Sequence, residues 1–313
     1  MSDSVLVTGA SSQLGVFLLP RLQQAGFRVL AVSRRAPRSA MNVSEQVAWQ
    51  HPDSLLDETA AAECKLDWQP QHLVSCGPLD LACALITRQT SLKRLVAFST
   101  SSVLTKTGSL NRGEKARMLK IQHAETQLQK LCEDRDIALV LLRPTLIYGC
   151  GLDKNISVLA RFGCRFGFIP VSGNAAGLRQ PVHADDLAAV TVEALSTDQA
   201  NRLTSEVCGG STLTYREMAE KIADCCGVKV RVLAIPPWLL IAAVQVMSIF
   251  PAYRAFNGEM VRRQGSDMVF DDTALRAALN YQPRAFNPSG CDFEMPENAL
   301  KLQSLLSPPG GGT

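Results

Sequence analysis

Residues 5–35 read VLVTGASSQLGVFLLPRLQQAGFRVLAVSRR, and this stretch limits the possible folds more than any other. Residues 5–7 are a short apolar strand. Residues 14–25 carry apolar side chains at helical spacing and stop at Gly26, a residue suited to a helix C-cap. Residues 27–32 are apolar again, so the first thirty-odd residues form a βαβ unit. The alternation continues: strands at 73–75 and 95–98, helices at 79–86 and 114–133, and a further strand at 138–142. Strands that alternate with helices predict a parallel sheet covered on both faces. After Arg143-Pro144 the pattern loosens into Gly- and Pro-containing loops, and a helix at 185–194 returns to the sheet.

A strand ending in Gly9-Ala-Ser-Ser-Gln-Leu-Gly15 and entering a helix is the context in which a glycine loop carries meaning. Gly9 allows the tight turn and Gly15 lets the helix pack closely on the strand. The helix N-terminus, around Ser11, Ser12, Gln13 and Leu14, offers unpaired N–H groups and partial positive charge to a pyrophosphate. Ser12 stands where a middle glycine is expected, and its hydroxyl can itself donate to phosphate. An ordinary tight turn between strand and helix is the alternative. At the end of the second strand an acidic residue would accept hydrogen bonds from ribose hydroxyls and repel a 2′-phosphate; the chain has Ser33-Arg34-Arg35 instead. Guanidinium forks match phosphate, so NADP is expected ahead of NAD; solvated surface arginines would read the same way.

Composition excludes several other classes. A 313-residue chain with 46% apolar and 19% charged residues can bury one large core with a smaller lobe folded onto it. A formal charge of +3, with scattered basic residues, argues against a nucleic-acid partner. Ten cysteines without a CxxC pair or matching histidines indicate neither a metal site nor a disulfide framework, and point to a reduced, cytoplasmic setting. The first strand begins too early to leave room for a signal peptide. The longest apolar run, residues 238–250, is shorter than the ~20 residues that a bilayer requires. It suits a buried or an interfacial helix, and leaves peripheral membrane contact open.

With these residues in hand, the chain resembles the short-chain dehydrogenase/reductase superfamily in its extended form, the NAD-dependent epimerase/dehydratase group. The likeness rests on the glycine loop, Phe98-Ser-Thr-Ser-Ser-Val103, Leu142-Arg-Pro-Thr-Leu-Ile-Tyr-Gly149 and Arg179-Gln-Pro-Val-His-Ala-Asp-Asp-Leu187. It implies an α/β, Rossmann-like doubly wound parallel sheet with a smaller C-terminal substrate lobe. The cofactor domain would take residues 1–150 with 181–200 returning to it, the lobe 151–180 and 201–306, and residues 307–313 a flexible tail. It further implies that Ser75, Cys76 and Gly77 lie along the cofactor, that Pro144 steers the chain across it, and that Thr100 and Ser101 bond the reacting oxygen. Tyr148, Arg179 and His183 would face a small-molecule substrate such as a nucleotide sugar, with Asp185 or Asp186 capping the helix there. Residues 214–219 resemble the start of the group's substrate-lobe helix, and 236–240 with the following apolar run are similar to members that attach to membranes or respiratory complexes. Packing in the lobe explains that run equally.

The resemblance breaks at one place. Redox members use a tyrosine and a lysine at Tyr-x-x-x-Lys, where the lysine lowers the phenol pKa for proton exchange with a substrate hydroxyl. The residues four positions after Tyr148, Tyr215, Tyr253 and Tyr281 are Leu152, Ala219, Asn257 and Ala285, so the pair is absent. Depending on the alignment, the two positions hold Arg117 and Ile121 or Ala116 and Lys120. His123, His183, Lys120, Arg117 and Arg179 are the candidate replacements. Two readings stay open: an NADP-dependent oxidoreductase or epimerase-like enzyme with a non-standard acid/base, or a non-catalytic NADP(H)-binding sensor or scaffold acting through a protein partner. Oligomerisation is equally open.

Overall fold

Strand residues that alternate in direction need apolar cover on both sides, and the sheet obtains it by placing helices on each face. A computed structural model describes residues 3–36, 41–56, 69–106, 111–247 and 258–297. In chain order its elements are β1 (Ser4–Thr8), α1 (Gln13–Gln24), β2 (Arg28–Val32), β3 (Met41–Asn42), β4 (Val47–Gln50), α2 (Pro52–Leu56), β5 (His72–Ser75), α3 (Leu79–Arg88), β6 (Arg94–Phe98), α4 (Ser102–Thr105), α5 (Arg112–Asp134) and β7 (Ala138–Pro144). There follow β8 (Ile147–Tyr148), α6 (Ile156–Phe166), β9 (Phe168–Ser172), β10 (Leu178–Arg179), β11 (Val182–His183), α7 (Ala184–Ser196), β12 (Leu203–Val207) and β13 (Leu213–Thr214). The chain continues through α8 (Tyr215–Asp224), β14 (Arg231–Ile235), α9 (Pro237–Met247), α10 (Gly258–Arg263) and α11 (Thr273–Leu279).

The main sheet runs β12-β7-β6-β5-β1-β2-β4-β3, parallel throughout except for the antiparallel β3–β4 edge. Val5 and Val7 of β1 face one core with Leu18 and Leu22 of α1 and Leu187 of α7. Leu6, between them, faces the other core with Leu85 of α3 and Leu128 of α5. One strand thus feeds both cores, which is why β1 reads as an unbroken apolar run. The doubly wound α/β reading holds.

The structure differs from the sequence reading in four respects. First, β12 pairs with β7, and Leu275, Leu279 and Tyr281 join the main core, so the chain after residue 200 is not all smaller lobe. Second, β4 extends the far edge, although its four residues are too few and too mixed to announce a strand. Third, Cys164 on α6 and Cys226 just after α8 form a disulfide with their Cα atoms 5.4 Å apart, against the expectation of no disulfide. Fourth, α9 is neither plainly buried nor plainly on the surface. Leu240 and Val244 are buried, while Trp238 is 71% exposed and Leu239 and Val246 also face outward. No helix among the described residues is long and apolar enough to cross a membrane. The tail at 307–313 lies outside the described residues.

Candidate functional site

The glycine loop is tight for a steric reason. Gly9 has φ +66°, and a Cβ there would lie 2.7 Å from the carbonyl carbon and oxygen of Cys76. A Cβ on Gly15 would collide with the Ala10 carbonyl. Close approach is therefore demanded of Gly9 and Gly15, whereas a Cβ on Gly77 would meet nothing closer than 3.6 Å. Ser12 caps α1, its Oγ accepting from the Gly15 amide at 3.3 Å. The amides of Gln13 and Leu14 have no partner among the described residues, and the Ser12 hydroxyl proton is left to donate.

At the neighbouring strand end, Ser11 Oγ and Ser33 Oγ share a hydrogen bond of 2.7 Å, and Ser33 Oγ accepts from the Arg35 amide at 3.2 Å. The Arg34 and Arg35 side chains are exposed and make no ion pair among the described residues. Ser75 is buried beneath the loop, with Thr8 Oγ1 donating to its Oγ at 3.4 Å. Burial pushes the Cys76 thiol pKa up, which disfavours the thiolate.

The end of β6 is pinned to β7. The Ser99 amide bonds Leu142 O at 2.8 Å and the Ser101 amide bonds Pro144 O at 3.1 Å. Thr100 Oγ1 accepts from the Ser102 amide at 3.2 Å, which settles the local turn and leaves its own proton available. Thr100, Ser101 and Ser102 line a cavity of about 670 Å³ between the sheet ends and the smaller lobe. Lys106, just beyond α4, lines the same cavity. It lies 3.6 Å from Glu114 of α5, and Glu114 also pairs with Arg263 at 2.8 Å. Burial, then the Arg263 charge, lowers the Lys106 pKa against the opposing pull of Glu114. The sequence reading missed this residue; the signal was a lysine one helical turn past the serine cluster.

The expected substrate residues separate. Arg179 reaches the cavity, but its guanidinium donates to the carbonyls of Leu178, Ser266 and Arg263 at 2.7, 2.8 and 2.5 Å. It is a strut for the lobe. Tyr148 is 1% exposed and packs edge-on against His183 and Phe286, and burial drives its phenol pKa well above the usual range. It does not line the cavity. His183 Nδ1 accepts from the Asp185 amide at 3.0 Å, leaving Nε2–H to donate to Asp292 at 3.1 Å. His183 is thus the N-cap of α7, a correction to the expectation that Asp185 or Asp186 fills that place. Asp185 instead pairs with Arg21 and Arg284, and Asp186 with Arg284.

The candidates on α5 do not line the cavity. Lys120 is exposed and bonds Asp80 at 2.9 Å, and Ala116, Arg117 and His123 are exposed. What α5 contributes is Glu114 at one end and buried Glu125 further along, held by Arg143 at 2.6 and 3.2 Å. Arg143 therefore locks the strand before Pro144.

Does a dinucleotide fit these residues? Four buried side-chain polar atoms have no hydrogen-bond partner among the described residues; two of them, Gln13 Nε2 and Ser99 Oγ, sit at the sheet's C-terminal edge, where doubly wound sheets bind ligands. With the free amides at the start of α1, the donor set fits a phosphorylated dinucleotide.

Comparison with known proteins agrees. A UDP-glucose 4-epimerase of Vibrio cholerae is 26% identical over 120 residues, a match spanning 38% of this chain and 37% of that protein. Among solved structures, the UDP-N-acetylglucosamine 4-epimerase of Bacillus cereus has TM-score 0.66 at 16% identity, covering 98% of this chain and 99% of that one. MoeE5 in complex with UDP-glucuronic acid and NAD gives 0.66 at 17% identity, with 96% and 99% covered. The UDP-glucose 4-epimerase of Thermus thermophilus, in complex with NAD, gives 0.65 at 18% identity, with 93% and 97% covered. Such identities establish the shared fold. The model of the NAD dependent epimerase/dehydratase family matches residues 5–205, nearly two thirds of the sequence, and to that family the chain belongs.

Proposed function

We propose that this protein is an NADP(H)-dependent oxidoreductase acting on an alcohol or carbonyl group without the family's usual tyrosine. The observation that carries the reading is the cavity onto which Thr100, Ser101 and the half-buried Lys106 open together, at the ends of the strands that carry the glycine loop. Bound coenzyme supplies hydride transfer at its nicotinamide ring. The amides of Gln13 and Leu14, with the Ser12 hydroxyl, hold the pyrophosphate; Arg34 and Arg35, beside the Ser11–Ser33 pair, hold the 2′-phosphate. Cys76 and Gly77, backed by the buried Ser75 and Pro144, would border the coenzyme. Thr100 and Ser101 donate to the substrate oxygen, and Lys106 gives that oxygen a proton in reduction and takes it back in oxidation. A nucleotide-sugar epimerase reaction is the second reading, supported by the UDP-sugar epimerases among the similar structures.

The test is titration of NADPH and NADH against the purified protein, followed by nicotinamide absorbance with carbonyl compounds and nucleotide sugars. NADPH is expected to bind more tightly than NADH. Replacing both Arg34 and Arg35 by alanine should weaken NADPH by about 10- to 100-fold, the loss of charge-assisted hydrogen bonds, and leave NADH unchanged. Tight NADPH binding with no turnover of any substrate would favour the sensor or scaffold instead.

A further inference from the structure

The cavity behind Thr100 and Ser101 is large enough for a drug-sized molecule, and its walls differ sharply. The sheet side presents hydroxyls and Lys106. The lobe side presents Leu159 and Phe162 of α6, Phe168 of β9, Met218 of α8, Val244 of α9 and Met260 of α10. Adjoining elements of the lobe thus turn apolar side chains inward, and the thioethers of Met218 and Met260 can adapt to an irregular hydrocarbon surface.

The charged groups on the same cavity are nearly all committed. Arg179 is spent on three backbone carbonyls. Arg263 and Lys106 both flank Glu114. Asp153 accepts from the Asn155 and Ser157 amides at the start of α6. Among the described residues, the lining cations without an ion pair are Arg179, taken up by those carbonyls, and Lys154 at the exposed rim. A nucleoside diphosphate brings two adjacent phosphates that need several cations or free amides, and burying them against this wall would leave charge unpaired.

We infer that the substrate is a hydrophobic alcohol or carbonyl compound, an amphiphile whose oxygen meets Thr100 and Ser101 and whose hydrocarbon body fills the lobe half of the cavity. The head-group part rests on the oxidoreductase reading; the hydrocarbon part rests on the cavity wall alone.

A homologous series of methyl ketones, from butanone to undecanone, tests it on the full-length protein. Binding is read by displacement of an environment-sensitive apolar fluorophore, and turnover separately by NADPH absorbance, with UDP-glucose as the contrasting ligand. Each added methylene should tighten binding by about three- to fourfold until the cavity is full, and UDP-glucose should not compete. Met218→Glu should flatten that dependence while NADPH still binds. If Met218→Glu fails to fold, Ala243→Glu at the cavity mouth serves, because Ala243 is already exposed. A chain-length dependence without NADPH consumption keeps the hydrocarbon assignment and overturns the oxidoreductase reading. Affinity that is flat with chain length, no ketone binding, or competition by UDP-glucose overturns the inference even if NADPH is consumed.

Discussion

Lys106 occupies the cavity wall where its ammonium is partly stripped of water and repelled by Arg263, with Glu114 as the counterweight. Its pKa is thereby lowered, which moves it toward the range where a lysine exchanges protons usefully. Lys106→Met should cut kcat by about 100- to 10,000-fold, while NADPH affinity, read by fluorescence, stays unchanged. The sign of the pH effect follows from the proposed role. In reduction the ammonium is the donor, so the rate falls as pH rises through the lowered pKa, at a pH below the ordinary lysine range. The oxidation rate rises over the same interval, and both limbs should vanish in the variant. Gly9 is the second decisive residue. Gly9→Ala adds a methyl group at positive φ against the Cys76 backbone, so NADPH binding should be abolished or the melting temperature should fall by several degrees. Gly9 was legible in the sequence because a glycine at a strand end has few other uses. Lys106 was not, because a lysine near a serine cluster is indistinguishable from a solvated one until its neighbours from α5 and α10 are known.

Helix α5 shows how an element can keep its place in a site after losing its usual chemistry. Its length and position match the sequence reading closely, yet the exposed Ala116, Arg117 and Lys120 at the expected acid/base positions do not line the cavity. The helix is fixed to β7 by the bidentate Arg143–Glu125 pair, with Glu125 3% exposed. Arg143→Met should therefore cost about 3–5 kcal/mol, measured by urea denaturation, because it leaves a carboxylate buried without its partner. The double variant Glu125→Met/Arg143→Met should recover much of that loss, since it removes both charges together. Helix α7 illustrates a different limit. Its start is marked in the sequence by two aspartates, either able to cap it, but both are drawn to Arg21 and Arg284, and His183 caps instead. Local propensity indicated that a cap was there; long-range ion pairs chose which residue provides it.

Across the whole molecule, the sheet and the lobe are joined by segments distant in the chain. The Cys164–Cys226 disulfide closes 62 residues of sequence around β9, β12 and α8. Constraining a loop of that size in the unfolded chain contributes about 4 kcal/mol in the chain-entropy account. The Cys164→Ser/Cys226→Ser variant, or addition of reductant, should lower stability by up to that amount. Two further thiols should become titratable under denaturing conditions only after reduction. Neither cysteine advertised its partner, because spacing along a chain says nothing about which ends of α6 and α8 will meet. The same division runs through the protein. The parallel α/β sheet, the glycine loop and the absence of Tyr-x-x-x-Lys were legible along the chain, since periodicity, turn chemistry and residue identity are local properties. Tertiary structure alone decided that β12 completes the sheet, that Arg179 and His183 serve as struts, and that Lys106 shares a cavity with Thr100 and Ser101. Those outcomes depend on which distant surfaces exclude water from one another, a competition between segments far apart in the chain.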